Sequence, residues 1–146
     1  MIYSRHCSPE VRQSVGSFFE FDAVNNVLRC SLKGHVTEDI LMNVYSQFVR
    51  FNASHPPCRG IVDCANVTSV DISSRAVWRL VHLPLFSSAQ LMHIVVAPKD
   101  LSYAPARMLS MFGKELRPNH GIVRSIGVAY TALGIKSPYF SRISID

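Results

Sequence analysis

Hydrophobic and polar positions change period along this chain in a regular order. Phe18 to Ala23 alternates as a strand does, and "DAVNN" then supplies Asp and Asn residues suited to a turn. "VLRCSLKG" puts Leu28, Cys30 and Leu32 on one face and Arg29, Ser31 and Lys33 on the other. The two segments predict a β-hairpin with one wet face. After Gly34 the period becomes helical: Ile40, Leu41, Val44, Phe48 and Phe51 form an apolar stripe. Thr37 is a suitable N-cap, Glu38 and Asp39 place negative charge in the first turn, and Pro56 with Pro57 close the helix.

"RGIVDCANV" is apolar without alternation, as expected of a strand covered on both sides. Ser73 or Ser74 can then cap a helix whose Val77, Leu80 and Val81 face inward, stopped by Pro84. "LMHIVVAP" predicts a second buried strand. "DLSYAPARMLSMFGKEL" predicts a helix with Pro105 in its first turn and an inner stripe of Ala104, Met108, Met111 or Phe112, and Leu116. "GIVRSI" predicts a weaker strand and "VAYTALGI" a short helix, while "KSPYFSRISID" carries no clear pattern. The order is β-β-α-β-α-β-α-β-α. Strands joined through helices lie parallel, so the expected fold is α/β, with about four helices on a mixed sheet of about five strands, one of them an antiparallel hairpin strand. The chain of 146 residues suits one domain, with its core at about 18–135, a peripheral N-terminal arm at 1–16 and a peripheral tail at 136–146.

Composition narrows the class. A hydrophobic fraction of 48% with 17% charged residues describes a globular chain. No apolar run approaches the roughly 20 residues that span a bilayer, and the first residues lack the apolar region of a signal peptide. A cytoplasmic location is expected. The four cysteines form no C-x-x-C pair and have no histidine partners at zinc spacing, so thiols are expected, without metal or cofactor. The net charge of +5 is concentrated late: residues 1–100 carry nine Lys/Arg against eight Asp/Glu, and residues 101–146 carry six against two. That excess includes Arg107, Lys114, Arg117 and Arg124 but lacks aromatic interleaving, which argues against nucleic acid and leaves an acidic protein partner open.

One stretch carries more than a fold. In "GIVDCANVTSVDISSRAVWRL", Ile61-Val62-Asp63 ends a strand, Val67 to Val70 follows a turn, and Asp71-Ile72-Ser73-Ser74 opens a helix. This resembles the central signature of STAS domains, the family of bacterial anti-sigma-factor antagonists and sulfate-transporter tails. The wider chain is similar to the SpoIIAA-like group of small STAS/SEC14-type proteins, over roughly residues 18 to 135, through "LKGHVTEDIL", "IVVAPKDLSYAPARMLSMF" and "IVRSIGVAYTALGI". The resemblance implies a non-enzymatic regulatory or protein-interaction domain working through Asp63, Asp71, Ser73 and Ser74. It also implies that Ser73 is a phosphosite for a regulatory kinase of anti-sigma type. Phosphate there would gain from the helix N-terminus and be repelled by Asp71. Ile72 and Ser74 depart from the serine and glycine of the family pattern. Ser73 also reads simply as an N-cap, and Asp63 as a turn former.

No G-x-S-x-G, P-loop, G-x-G-x-x-G or H-E-x-x-H occurs, and the six histidines are scattered, so catalysis is not expected. An Asp63–Ser73–His35 constellation has no support from spacing. The SEC14-type relatives suggest an alternative, a carrier or sensor of a small apolar ligand or lipid, with Trp78, Phe86, Tyr103, Met108 and Phe112 as pocket residues. Packing between helices and sheet accounts for the same residues. A homodimer is compatible with either reading.

Overall fold

The computed structural model describes residues 16–84, 91–114, 116 and 119–145 of the chain. Ten elements follow in order: β1 (Gly16–Asp22), β2 (Val27–Thr37), α1 (Glu38–Ser54), β3 (Arg59–Asp71) and α2 (Ser74–Val81) come first. Then come β4 (His93–Val96), α3 (Asp100–Phe112), β5 (His120–Val123), α4 (Ile126–Leu133) and β6 (Ser141–Ile143). The fold is α/β: among the described residues, one mixed sheet of six strands, ordered β5-β4-β3-β2-β1-β6, is joined by four helices. Strands β2 to β5 are mutually parallel, and β1 runs antiparallel to both β2 and β6. The expected order holds through α4. The tail expected to be peripheral instead supplies a sixth strand, Phe19 to Phe21 pairing with Ile143 to Ser141. Three residues on an edge are too short to show a period, which is why the sequence pattern did not reveal them.

Side-chain alternation across the sheet divides the core in two. Phe19, Leu28, Cys30, Leu32 and Cys64 pack beneath Val44 and Phe48 of α1, with Ile40, Leu41 and Phe51 half-buried beside them. On the other face Val27, Ile61, Ile94 and Val96 pack against Ala129 and Leu133 of α4. The hairpin face expected to be wet is largely covered. Ser31 is buried, and the Arg29 guanidinium lies 4.0 Å from the Phe140 ring centroid. That guanidinium also donates to Tyr130 and to Glu20 Oε1, the latter at 2.7 Å. Only Lys33 of the three stays exposed.

Helix α3 turns a different face inward from the one its period suggested. Ser102 and Ala106 are buried, whereas Ala104, Met111 and Leu116 are exposed. Apolar residues surround this helix (Leu101, Tyr103, Ala104, Ala106, Met108, Leu109), so hydrophobicity alone does not choose a face. The cysteines at 30, 58 and 64 are buried free thiols. Burial pushes Cys58 up to about 11 and Cys64 up to about 12, and shifts Cys30 in the same direction, so all three stay protonated and inert. Cys7 lies outside the described residues.

One buried acid ties the tail to the hairpin. The Asp22 carboxylate accepts the Asn25 backbone N–H at 2.9 Å, the Asn25 side-chain amide at 2.7 Å and the Tyr139 N–H at 2.7 Å. Arg59 reaches the same region, donating to Asn25 O at 2.7 Å and Leu133 O at 2.5 Å. Burial raises the Asp22 carboxyl, but the bonds from Asn25, Tyr139 and Val24 outweigh it and hold the group below its ordinary value. Its contribution is therefore present above about pH 4 and fades as pH falls through the lowered native value. Asp22→Asn would set amide hydrogens against donors. It should cost about 2 kcal/mol in urea unfolding at pH 7. Below about pH 4 the gap to wild type should narrow; a gap constant with pH would contradict the role given to the charge.

Candidate functional site

Two places in the fold combine accessibility with organised polar chemistry or empty space. The first is the start of α2. Strand β3 runs on from Asp63 to Asp71, kept in register with β2 down to Thr37↔Asp71 by two irregularities, each of which adds a residue to β3. Because Thr37 precedes α1 and Asp71 lies just before α2, the two helices begin side by side. Ile72 packs on the core, and Ser73 caps α2 with φ −77° and ψ 158°, its Oγ accepting the Ala76 N–H at 3.0 Å. The Ser73 hydroxyl donates in turn to Glu38 Oε1 at 3.0 Å, and Arg79 Nη2 donates to Glu38 Oε2 at 2.9 Å. Glu38 sits in the first turn of α1, so its carboxylate links that helix's positive end to the N-cap of α2 and to Arg79 in the last turn of α2. Ser73, Ser74 and Asp71 are exposed.

The sequence pattern placed Asp63 with this group; the structure separates it. Asp63 is not at the end of its strand: eight residues carry β3 on to Asp71, on the order of 25 Å of extended chain. It is the last β3 residue paired to β4, opposite Val96, and its Oδ1 accepts the Ala65 N–H at 3.0 Å. "DCAN" is therefore a bulged strand and not a turn. His35 bonds Ser69 Oγ at 2.6 Å, so the Asp63–Ser73–His35 constellation does not assemble. The acid that does meet Ser73 is Glu38, 35 positions away, which no local pattern could have indicated.

The second place is a cavity of about 180 Å³ between the sheet and the helices α1, α2 and α3. The sheet supplies Leu32, Val62, Cys64 and Val95; α1 supplies Leu41, Val44 and Phe48. Val77 and Leu80 come from α2, and Ser102, Ala106 and Leu109 from α3. His93 and His120, register partners at the starts of β4 and β5, line it together with Asn119. Gly60 makes room here: a Cβ on it would lie 2.7 Å from His93 Cδ2 and 3.0 Å from Phe48 Cε1. Among the described residues, no Lys, Arg, Asp or Glu lines this space.

Three of the pocket residues expected from the sequence, Trp78, Tyr103 and Met108, lie elsewhere. Trp78 is 53% exposed and packs on His82, and Tyr103 lies beneath Arg124, 3.6 Å from its guanidinium carbon. Met108 is half-buried and takes no part in the lining. Phe86 and the side chain of Phe112 lie outside the described part of the structure. The walls are mainly aliphatic, and the aliphatic residues are drawn from six elements, each indistinguishable in sequence from ordinary core. Among the described residues, no three His, Cys, Asp or Glu side chains gather as a metal site, and no helix is long and apolar enough to cross a membrane. Comparison of the chain with protein-family models, with curated proteins and with solved structures finds no match.

Proposed function

We propose that this chain is a non-catalytic binding module for a small, mainly apolar molecule, held between the sheet and helices α1, α2 and α3. The observation that carries this reading is the cavity itself, about 180 Å³ with aliphatic walls. Apolar cavities of about 150 Å³ stay dry and accept a benzene-sized guest. A space of this kind left empty forfeits dispersion contacts along its whole lining, and a guest restores them. The thiol in the wall, Cys64, is protonated and acts there as an apolar surface. Toluene is a suitable first probe. At ten times its dissociation constant it should stabilise the fold by about 1.4 kcal/mol, read as a rise in Tm. Ala106→Leu, which fills the space from α3, should remove that response while leaving the protein folded. No rise in Tm at saturating toluene, or an undiminished rise in the filled variant, would contradict the proposal.

A second reading is favoured by the Ser73–Glu38–Arg79 contacts. The order of elements and the exposed N-cap serine support the resemblance to STAS regulatory domains, with a kinase-type protein partner acting on Ser73. The phosphate would then face Glu38, already its hydrogen-bond partner, more directly than Asp71. Arg79 offers compensating charge. In this reading, protein isolated from its host contains a fraction heavier by one phosphate, and Ser73→Ala abolishes it in intact-mass spectra. Ser73→Ala should also cost about 1 kcal/mol through loss of the cap alone. A single mass under every growth condition would dispose of the switch.

A further inference from the structure

We infer that the ligand of the cavity is a neutral hydroxyl compound, an apolar ring or short chain whose hydroxyl seats against Ser102. The inference rests on the binding proposal and adds the ligand's chemical class and the residue that selects it. Ser102 is 6% exposed and lines the cavity, and its Oγ has no hydrogen-bond partner among the described residues. A serine near the start of a helix can turn its hydroxyl to a nearby backbone group. Here that bond is not made, although the Ser102 backbone N–H does bond Lys99 O at 3.1 Å. A buried hydroxyl left unmatched is a cost that an apolar residue at the same place would avoid. Its neighbours on the inner side of α3, Ala106 and Leu109, are apolar, so the hydroxyl stands alone on this wall.

The charge pattern decides what would satisfy it. With no Lys, Arg, Asp or Glu in the described lining, an ionised head would be desolvated without a fixed counter-charge. A hydroxyl both donates and accepts, and so can complete Ser102 in either sense. Topology sets the orientation. Helix α3 returns the chain from the end of β4 to the start of β5, so Ser102, in its first turn, lies toward the carboxyl edge of these strands. His93 and His120, the first residues of β4 and β5, lie toward the opposite edge. The two polar ends are separated by the length of β4, on the order of 10 Å, with aliphatic walls between them.

Titration calorimetry of the full chain at pH 7.5 with p-cresol, toluene and benzoate tests this. The expected order is p-cresol tightest, toluene weaker and benzoate weakest. Ser102→Ala should weaken p-cresol by about five-fold and leave toluene unchanged or slightly tighter. The variant deletes an unpartnered hydroxyl, so its Tm should match or exceed that of wild type. Equal affinity for p-cresol and toluene in the wild type would overturn the hydroxyl class while leaving the apolar-ligand reading intact. A p-cresol preference that survives Ser102→Ala would move the head group to the imidazole end and overturn the assignment to Ser102. Benzoate binding tighter than p-cresol would overturn the neutral head. Binding of none of the three would remove both this inference and the reading beneath it.

Discussion

The parallel ladder between β2 and β3 runs from Val27↔Arg59 to Thr37↔Asp71, well beyond the point where β3 leaves β4 at Asp63. This long two-strand extension places the N-termini of α1 and α2 beside each other. It therefore brings Glu38 to Ser73 and holds both helices above the same sheet face. Without the two added residues in β3, the last pairs would slip and α2 would start one or two positions away from α1's first turn. The helix contact and two walls of the cavity share this one origin.

The two sheet faces are finished in different ways. On one, α4 packs directly on Ile61, Ile94 and Val96, and the tail closes over Arg29 with Phe140. The charges there are matched: Arg29 with Glu20, and Asp22 with the N–H groups of Asn25 and Tyr139. On the other face three helices cover the sheet, and small residues are among those lining the space between them, Gly60 on β3 and Ser102 and Ala106 on α3. Small side chains leave the space between larger neighbours unfilled, and protein interiors otherwise tolerate few voids of that size. The empty volume lies on the face nearer the exposed Ser73, so a guest in the cavity and a partner at α2 would both act on the packing of α1 against α2. Leu41 and Leu80 belong to the cavity wall and also to the groove that Glu38 and Arg79 border.

Much of the architecture was legible because it rests on local signals. Thr37, Ser73 and Ser125 cap the helices that follow them, and Gly134 ends α4 at φ 69°, where glycine is unstrained. The α1 stripe was readable because its apolar residues occupy one side only. α3 was misread for the opposite reason, since apolar residues occupy every side and the chosen face includes a serine. β6 was invisible because its three residues acquire a role only against β1. The candidate site was legible at Ser73, whose chemistry is local. It was not legible at Glu38, Gly60 or Ser102, whose roles arise from chain segments far apart in sequence.

The central claim is that guest-accessible apolar space exists between the sheet and helices α1 to α3. Xenon reports on such space without any assumption about the natural ligand. Crystals of the protein pressurised with xenon should show a bound atom enclosed by Val44, Val62, Val95 and Ala106. Density for xenon only at lattice contacts, with these side chains closed upon one another, would contradict the account.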